Sequence, residues 1–339
     1  MAFCASRTSM LTVAMGCLLL ALGAAQGADA PKDDRQYRVV ARYAVEGKDS
    51  AGEMAVDPAA RRLYVSRGTQ VEVLDLDSGE RMGRVAPMGG VRSVAVAPEL
   101  KRGFATSGGD AVAVFDLGTL EVTRTIKSTG QDPDAILYDA FTRRVFVANA
   151  RTGNVTVIDA ATGDVLSTVP LGGRLHQMST NGYGRLFVAV EDRKTARVVD
   201  TRSMEVLGDF PVAPGEKCAG IFADGIVRNF WVTCGNGKVV VIASDSGLGG
   251  EQPKLSGPPG LAAGVVTERE AVDSEAYRHG RAYLASSEGT LTVLDMGTPP
   301  PYRVFQKLQT EPGAHAVAVD PRTHRVFVSA PSAVLVIGR

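Results

Sequence analysis

The chain has 339 residues, 45% of them hydrophobic and 22% charged, with 37 basic and 37 acidic side chains and a formal net charge of zero. A nucleic-acid backbone as partner normally demands a basic surplus, so this balance does not favour one. Beyond the N-terminal segment no apolar run reaches the roughly twenty residues a membrane-spanning helix needs.

Residues 1–27 read as a secretory signal peptide. Arg7 is the only charge before the apolar run Met10 to Ala25, and Ala25-Gln26-Gly27 is a small-x-small cleavage site. Lipidation at Cys17 is the lesser alternative, because the apolar core ahead of it is short. A flexible stretch is expected over 28–36, then a single domain over 37–339, in a periplasmic or secreted protein.

The stretch Arg143 to Leu171, RRVFVANARTGNVTVIDAATGDVLSTVPL, sets the pattern. Val145 to Asn149 is β-branched and aromatic, Gly153-Asn154 is a turn, and Val155 to Ile158 returns as a strand. In Asp159 to Gly163 an aspartate can cap backbone N–H groups while Gly163 takes the left-handed position, and Val165 to Val169 is the third strand. The turn aspartates recur at Asp75, Asp116, Asp159 and Asp200, at spacings of 41, 43 and 41 residues, and again near Asp245 and at Asp295. A period of about forty residues with four short strands per unit is the signature of propeller blades.

In chain order, the first blade runs from about Gly52 to Pro87, the second from Arg92 to about Lys127, and the third is the unit just described, entered through Asp132-Pro133-Asp134. The fourth begins at Arg174 and ends near Val212. The fifth starts at Cys218 and carries Trp231 where other blades place Tyr or Phe. Ser246 to Gly264, rich in Gly and Pro, reads as a long surface connection with one outer strand inside it. Blade six resumes with REAVDS, Arg269 to Ser274, as its inner strand. Blade seven, HAVAVDP to AVLVIGR, is one strand short, and Tyr37 to Val45 is expected to complete it, because an unclosed ring would leave exposed edges.

The strands LYVSRG (Leu63 to Gly68), VFVANA (Val145 to Ala150), LFVAVE (Leu186 to Glu191) and VFVSAP (Val326 to Pro331) resemble those of the YVTN-repeat β-propellers. The likeness covers nearly all of the chain after residue 37. It implies a secreted or periplasmic all-β protein, a seven-bladed β-propeller of four-stranded antiparallel blades, and it brings no catalytic signature.

Cys4 and Cys17 leave with the signal peptide, so Cys218 and Cys234 remain. Aligned with the other repeats they lie at the start of an innermost strand and the end of its hairpin partner, so pairing about Ile226 brings them close. In an oxidising compartment a disulfide is the expected outcome. A redox or metal-binding thiol pair is the alternative, without CxxC spacing.

Matching the starts of the innermost strands gives a ring of candidate ligand-binding residues at the axial channel mouth: Glu53, Arg92, Asp132, Asp134, Arg174, His176, Lys217, Glu268, Arg269 and His315. Two readings of this ring stand together. Its members are solvated and paired with one another, or they line a recessed polar pocket in which Arg92, Arg174, Lys217 and Arg269 contact an anion. No metal site and no cofactor are expected, since the ring offers about as many cations as carboxylates. GxSxG, HExxH, P-loop and CxxCH sequences are absent. The expected protein is a monomeric binding or scaffold module for a protein, peptide or small anionic ligand. An enzyme, or an accessory chain of a periplasmic redox enzyme, is the alternative.

Overall fold

Period-two alternation decides the architecture, because neighbouring residues of a strand point to opposite faces of its sheet. In the computed structural model, which describes residues 36–46, 52–86, 88–224, 229–243, 254–256, 261–263, 267–268, 280–295, 303–314 and 316–339, the strands form seven antiparallel sheets. These are the seven blades of a β-propeller, built on Gln36–Arg339.

The second strand of each blade shows how sequence becomes packing. In Arg62–Arg67, Leu63 and Val65 enter a buried cluster with Phe327 of blade seven, whereas Tyr64 enters the next cluster with Phe115 of blade two. In Arg144–Asn149, Val145 and Val147 face blade two while Phe146 and Ala148 face blade four. This strand carries an aromatic residue at the matching place in every blade, its third residue in blades one to six and its second in blade seven: Tyr64, Phe104, Phe146, Phe187, Trp231, Tyr283 and Phe327, all at most 1% exposed. Each fills one of the seven junctions, contributing on the order of 2 kcal/mol by burial. Trp231 also stacks on Phe222 at a ring separation of 5.6 Å.

The turn aspartates act as expected. Asp75 Oδ1 accepts the N–H groups of Asp77 and Ser78 at 3.0 and 2.8 Å, and Asp159 Oδ1 those of Ala161 and Thr162 at 2.9 and 2.8 Å. Asp116 and Asp200 make the same pair of contacts in their blades. Backbone N–H donors hold all four carboxyls below the ordinary range.

Closure follows the expected scheme. Arg38–Ala44 pairs antiparallel with Ala333–Gly338, so the final blade takes its outermost strand from the other end of the chain. The strand is pinned at both ends. Tyr37 bonds to Gln306 through its backbone N–H, at 2.8 Å, and its hydroxyl meets that of Tyr283 at 2.9 Å, both in blade six. The Tyr43 hydroxyl donates to the carbonyls of Leu76 and Asp77 in blade one, at 3.1 and 2.8 Å. Gly79, at φ 75°, makes room for that ring, since a Cβ there would overlap Tyr43.

Cys218 and Cys234 are disulfide-bonded and directly opposite in the ladder between Cys218–Asp224 and Asn229–Cys234. Ile226, the expected centre of that pairing, lies outside the described residues. Blade five takes its outer strand, Lys254–Ser256, from the Gly- and Pro-rich stretch, as expected. Blade six departs from expectation. Its inner position is filled by two short strands, Leu261–Ala263 and Thr267–Glu268, both paired with Arg281–Ser286, rather than by the segment starting at Arg269. The alternation in REAVDS resembles the other inner strands, but Leu261–Ala263 and Thr267–Glu268, just upstream, pair with Arg281–Ser286. Arg269 to Ser274 lies outside the described residues, as does the signal segment 1–27.

Candidate functional site

Each inner strand starts beside the channel, so residues at matching positions from different blades are brought together at one mouth. Glu53, Arg92 and Arg174 stand just ahead of Met54–Asp57, Val94–Ala97 and Leu175–Thr180, Asp134 and His176 lie within their strands, and Lys217 immediately precedes Cys218–Asp224. Asp132 and Lys217 adopt left-handed backbone, at φ 60° and 53°. Asp132 is held there by its N–H, which donates to Asp110 Oδ1 at 2.9 Å.

Blades two, three and four share one ladder of alternating charge. Arg92 Nη1 lies 2.8 Å from Asp132 Oδ1 and 3.0 Å from Asp134 Oδ1. The second oxygen of Asp134 meets His176 Nδ1 at 3.0 Å, and His176 Nε2 meets Glu191 Oε2 at 3.0 Å. Arg174 Nε stands 3.8 Å from that same Glu191 oxygen. From blade four, Gln177 donates to Glu53 of blade one, so the two reach each other across the channel.

The electrostatics follow from these contacts. The hydrogen bond to Asp134 raises the His176 pKa, burial opposes it, and Glu191 reinforces it. Burial pushes the Asp134 carboxyl up, but His176 and Arg92 outweigh it and hold the group below the ordinary range. A carboxylate at each nitrogen favours the doubly protonated imidazole, which suits a fastener between blades better than a general base.

The sequence-derived ring is thus assembled in part. Arg92, Asp132, Asp134, Arg174 and His176 are brought together, Glu53 joins through Gln177, and Lys217 is exposed at the rim of blade five. Glu268 is placed by its backbone opposite Arg281. Arg269 and His315 lie outside the described residues. Glu191 and Gln177 were not expected. The signal for Glu191 was its place in the turn after LFVAV, where other blades carry small or neutral residues. Among the described residues no three His, Cys, Asp or Glu side chains gather as a metal site.

Beside the ladder a cleft of about 460 Å³ opens between blades three and four. Its walls are Ala150 to Thr152, Gly173-Arg174, and the carboxylates Asp132 and Asp192.

No family model matches the chain, and no curated protein matches it in sequence. Among solved structures it is similar to a chain of Kuenenia stuttgartiensis hydrazine synthase, with a TM-score of 0.72 and 17% identity over 94% of this chain and 99% of that one. At that identity the likeness shows the fold alone.

Proposed function

We propose that this protein is a non-catalytic periplasmic or secreted propeller of YVTN-repeat type, acting as a monomer, which presents its charged channel mouth to a protein, peptide or small anionic ligand. The observation that carries this reading is the ladder from Arg92 through Asp134 and His176 to Glu191 and Arg174. Its arginines are half or more exposed while their carboxylate partners sit deeper, so an incoming anion meets cations already fixed in place. A fold shared by many functions does not choose the ligand, so the side chains must. Changing Arg92, Arg174 and Arg269 together to Ala is expected to abolish retention of ligand from periplasmic extract with little change in melting temperature. Unaltered retention removes the channel mouth as the site.

The likeness in fold to a hydrazine synthase chain prompts a second reading, an accessory chain of a redox enzyme. A stoichiometric metal or a visible chromophore in the purified protein would support it over the first.

A further inference from the structure

The cleft between blades three and four has an internal asymmetry. Its carboxylates are engaged from within the fold: Asp132 by Arg92 at 2.8 Å, and one oxygen of Asp192 by the backbone N–H of Arg174 at 2.8 Å. Its guanidinium groups are not. Arg151 is exposed and, among the described residues, has no side-chain hydrogen bond or ion pair; its charge is felt by Asp110 only at a distance. Arg174 has one ion-pair contact, at 3.8 Å, to a Glu191 oxygen already engaged by His176.

The walls that carry these cations are held firmly. Thr152 Oγ1 accepts the N–H of Gln131 at 3.0 Å and donates to Asn154 Oδ1 at 3.1 Å. Asn154 Oδ1 also takes a bond from Asn149 at 2.8 Å, and Asn149, fully buried, is tied to Ser128 and Thr156. This polar network fixes the turn that displays Arg151. On the facing wall Gly173, at φ 75°, lets the backbone close on Asp192, where a Cβ would come within 2.5 Å of the Asp192 carboxylate. Two weakly engaged guanidinium forks lining one cleft suit the planar oxygens of a carboxylate or phosphate.

We infer that this cleft is a binding site for a small organic or inorganic anion bearing carboxylate or phosphate groups, with Arg151 and Arg174 as its contacts. The inference goes beyond the channel-mouth reading, because Arg151 belongs to the cleft and not to the axial ring.

Calorimetric titration of the purified protein with inorganic phosphate and, separately, with succinate tests it. At least one is expected to bind one to one at or below about 1 mM, more weakly as salt rises. Arg151→Gln, at an exposed turn position, is expected to fold normally and to lose about tenfold or more in affinity. Arg303→Gln, in the outer strand of blade six, serves as the charge-loss control and is expected to keep full affinity. Affinity that survives Arg151→Gln overturns the cleft assignment while leaving the channel-mouth reading intact. Failure of both anions to bind below about 10 mM overturns it as well.

Discussion

Blades one to three and blades four to six meet their neighbours by different means. The first residue of the second strand is an arginine in the early blades, and it reaches forward. Arg62 donates to the Leu117 carbonyl of blade two, Arg102 to Ala160 of blade three at 3.3 Å, and Arg144 to Thr201 and Arg202 of blade four at 2.7 and 3.1 Å. Arg325 repeats the contact from blade seven to Asp77 of blade one, at 3.3 Å. In the later blades the equivalent residue turns inward or is replaced. Arg185 binds Asp200 of its own blade at 2.6 Å, Asn229 stands in blade five, and Arg281 lies 3.1 Å from its own Asp295 and over the Phe305 ring at 4.4 Å. Regular turns supply a carbonyl at a fixed place, which a long basic side chain can find in the next blade. Blade five carries a disulfide across its inner hairpin instead.

Breaking the covalent fastener should have the largest effect. Replacing Cys218 and Cys234 with Ser removes a crosslink across 16 residues and should cost about 3 kcal/mol by the loop-entropy argument. Thermal unfolding of the double variant, against the oxidised parent, measures it. A melting temperature equal to that of the oxidised parent would mean that blade five does not depend on the bond.

The comparison sharpens with a matched pair of arginines. Arg144→Ala removes two charge-assisted bonds into the next blade and should destabilise by about 1–2 kcal/mol. Arg185→Ala breaks a partly exposed pair within one blade and should cost less, about 0–1 kcal/mol. Equal losses in denaturant titrations would erase the distinction between the two sets of blades.

The smallest effect concerns pH. His176 has a folded pKa above its ordinary value, so its contribution is complete below about 6.5 and is lost as pH rises through the folded value. Asp134, held low, works in the other direction: its contribution is present above the ordinary carboxylate range and fades as pH falls through its folded value. Melting temperature should therefore decline as pH rises above about 6.5, and His176→Gln should flatten that decline. An identical slope in the variant would show that the histidine does not fasten blades three and four.

Much of this fold can be read along the chain, for a physical reason. Strand alternation and the aromatic of the second strand are local signals repeated in every blade, the turn aspartates recur in most of them, and the Cys218 to Cys234 pairing follows once the hairpin register is known. Blade six shows the limit. Two strands of three and two residues flanked by Gly and Pro give no alternation to detect, while Arg269 to Ser274 offers a better pattern outside the described ladder. The site was legible as a set of positions but not as a set of partners. Asp134 binds Arg92 from one side and His176 from the other, and such choices are made between blades, beyond any periodicity. The paired arginines at the starts of the second strands, Arg61-Arg62 and Arg143-Arg144, were a visible repeat whose reach into the next blade only the turn geometry explains. Arg151 carried no signal, since a lone cation in a turn looks like any solvated residue.

The whole ring rests on its N-terminal strand, and amide hydrogen exchange tests that claim most directly. Residues 38–44 are expected to be protected to the same degree as their partners at 333–338, and both should exchange only with global unfolding. Rapid exchange at 38–44 beside a protected 333–338 would contradict closure by this strand.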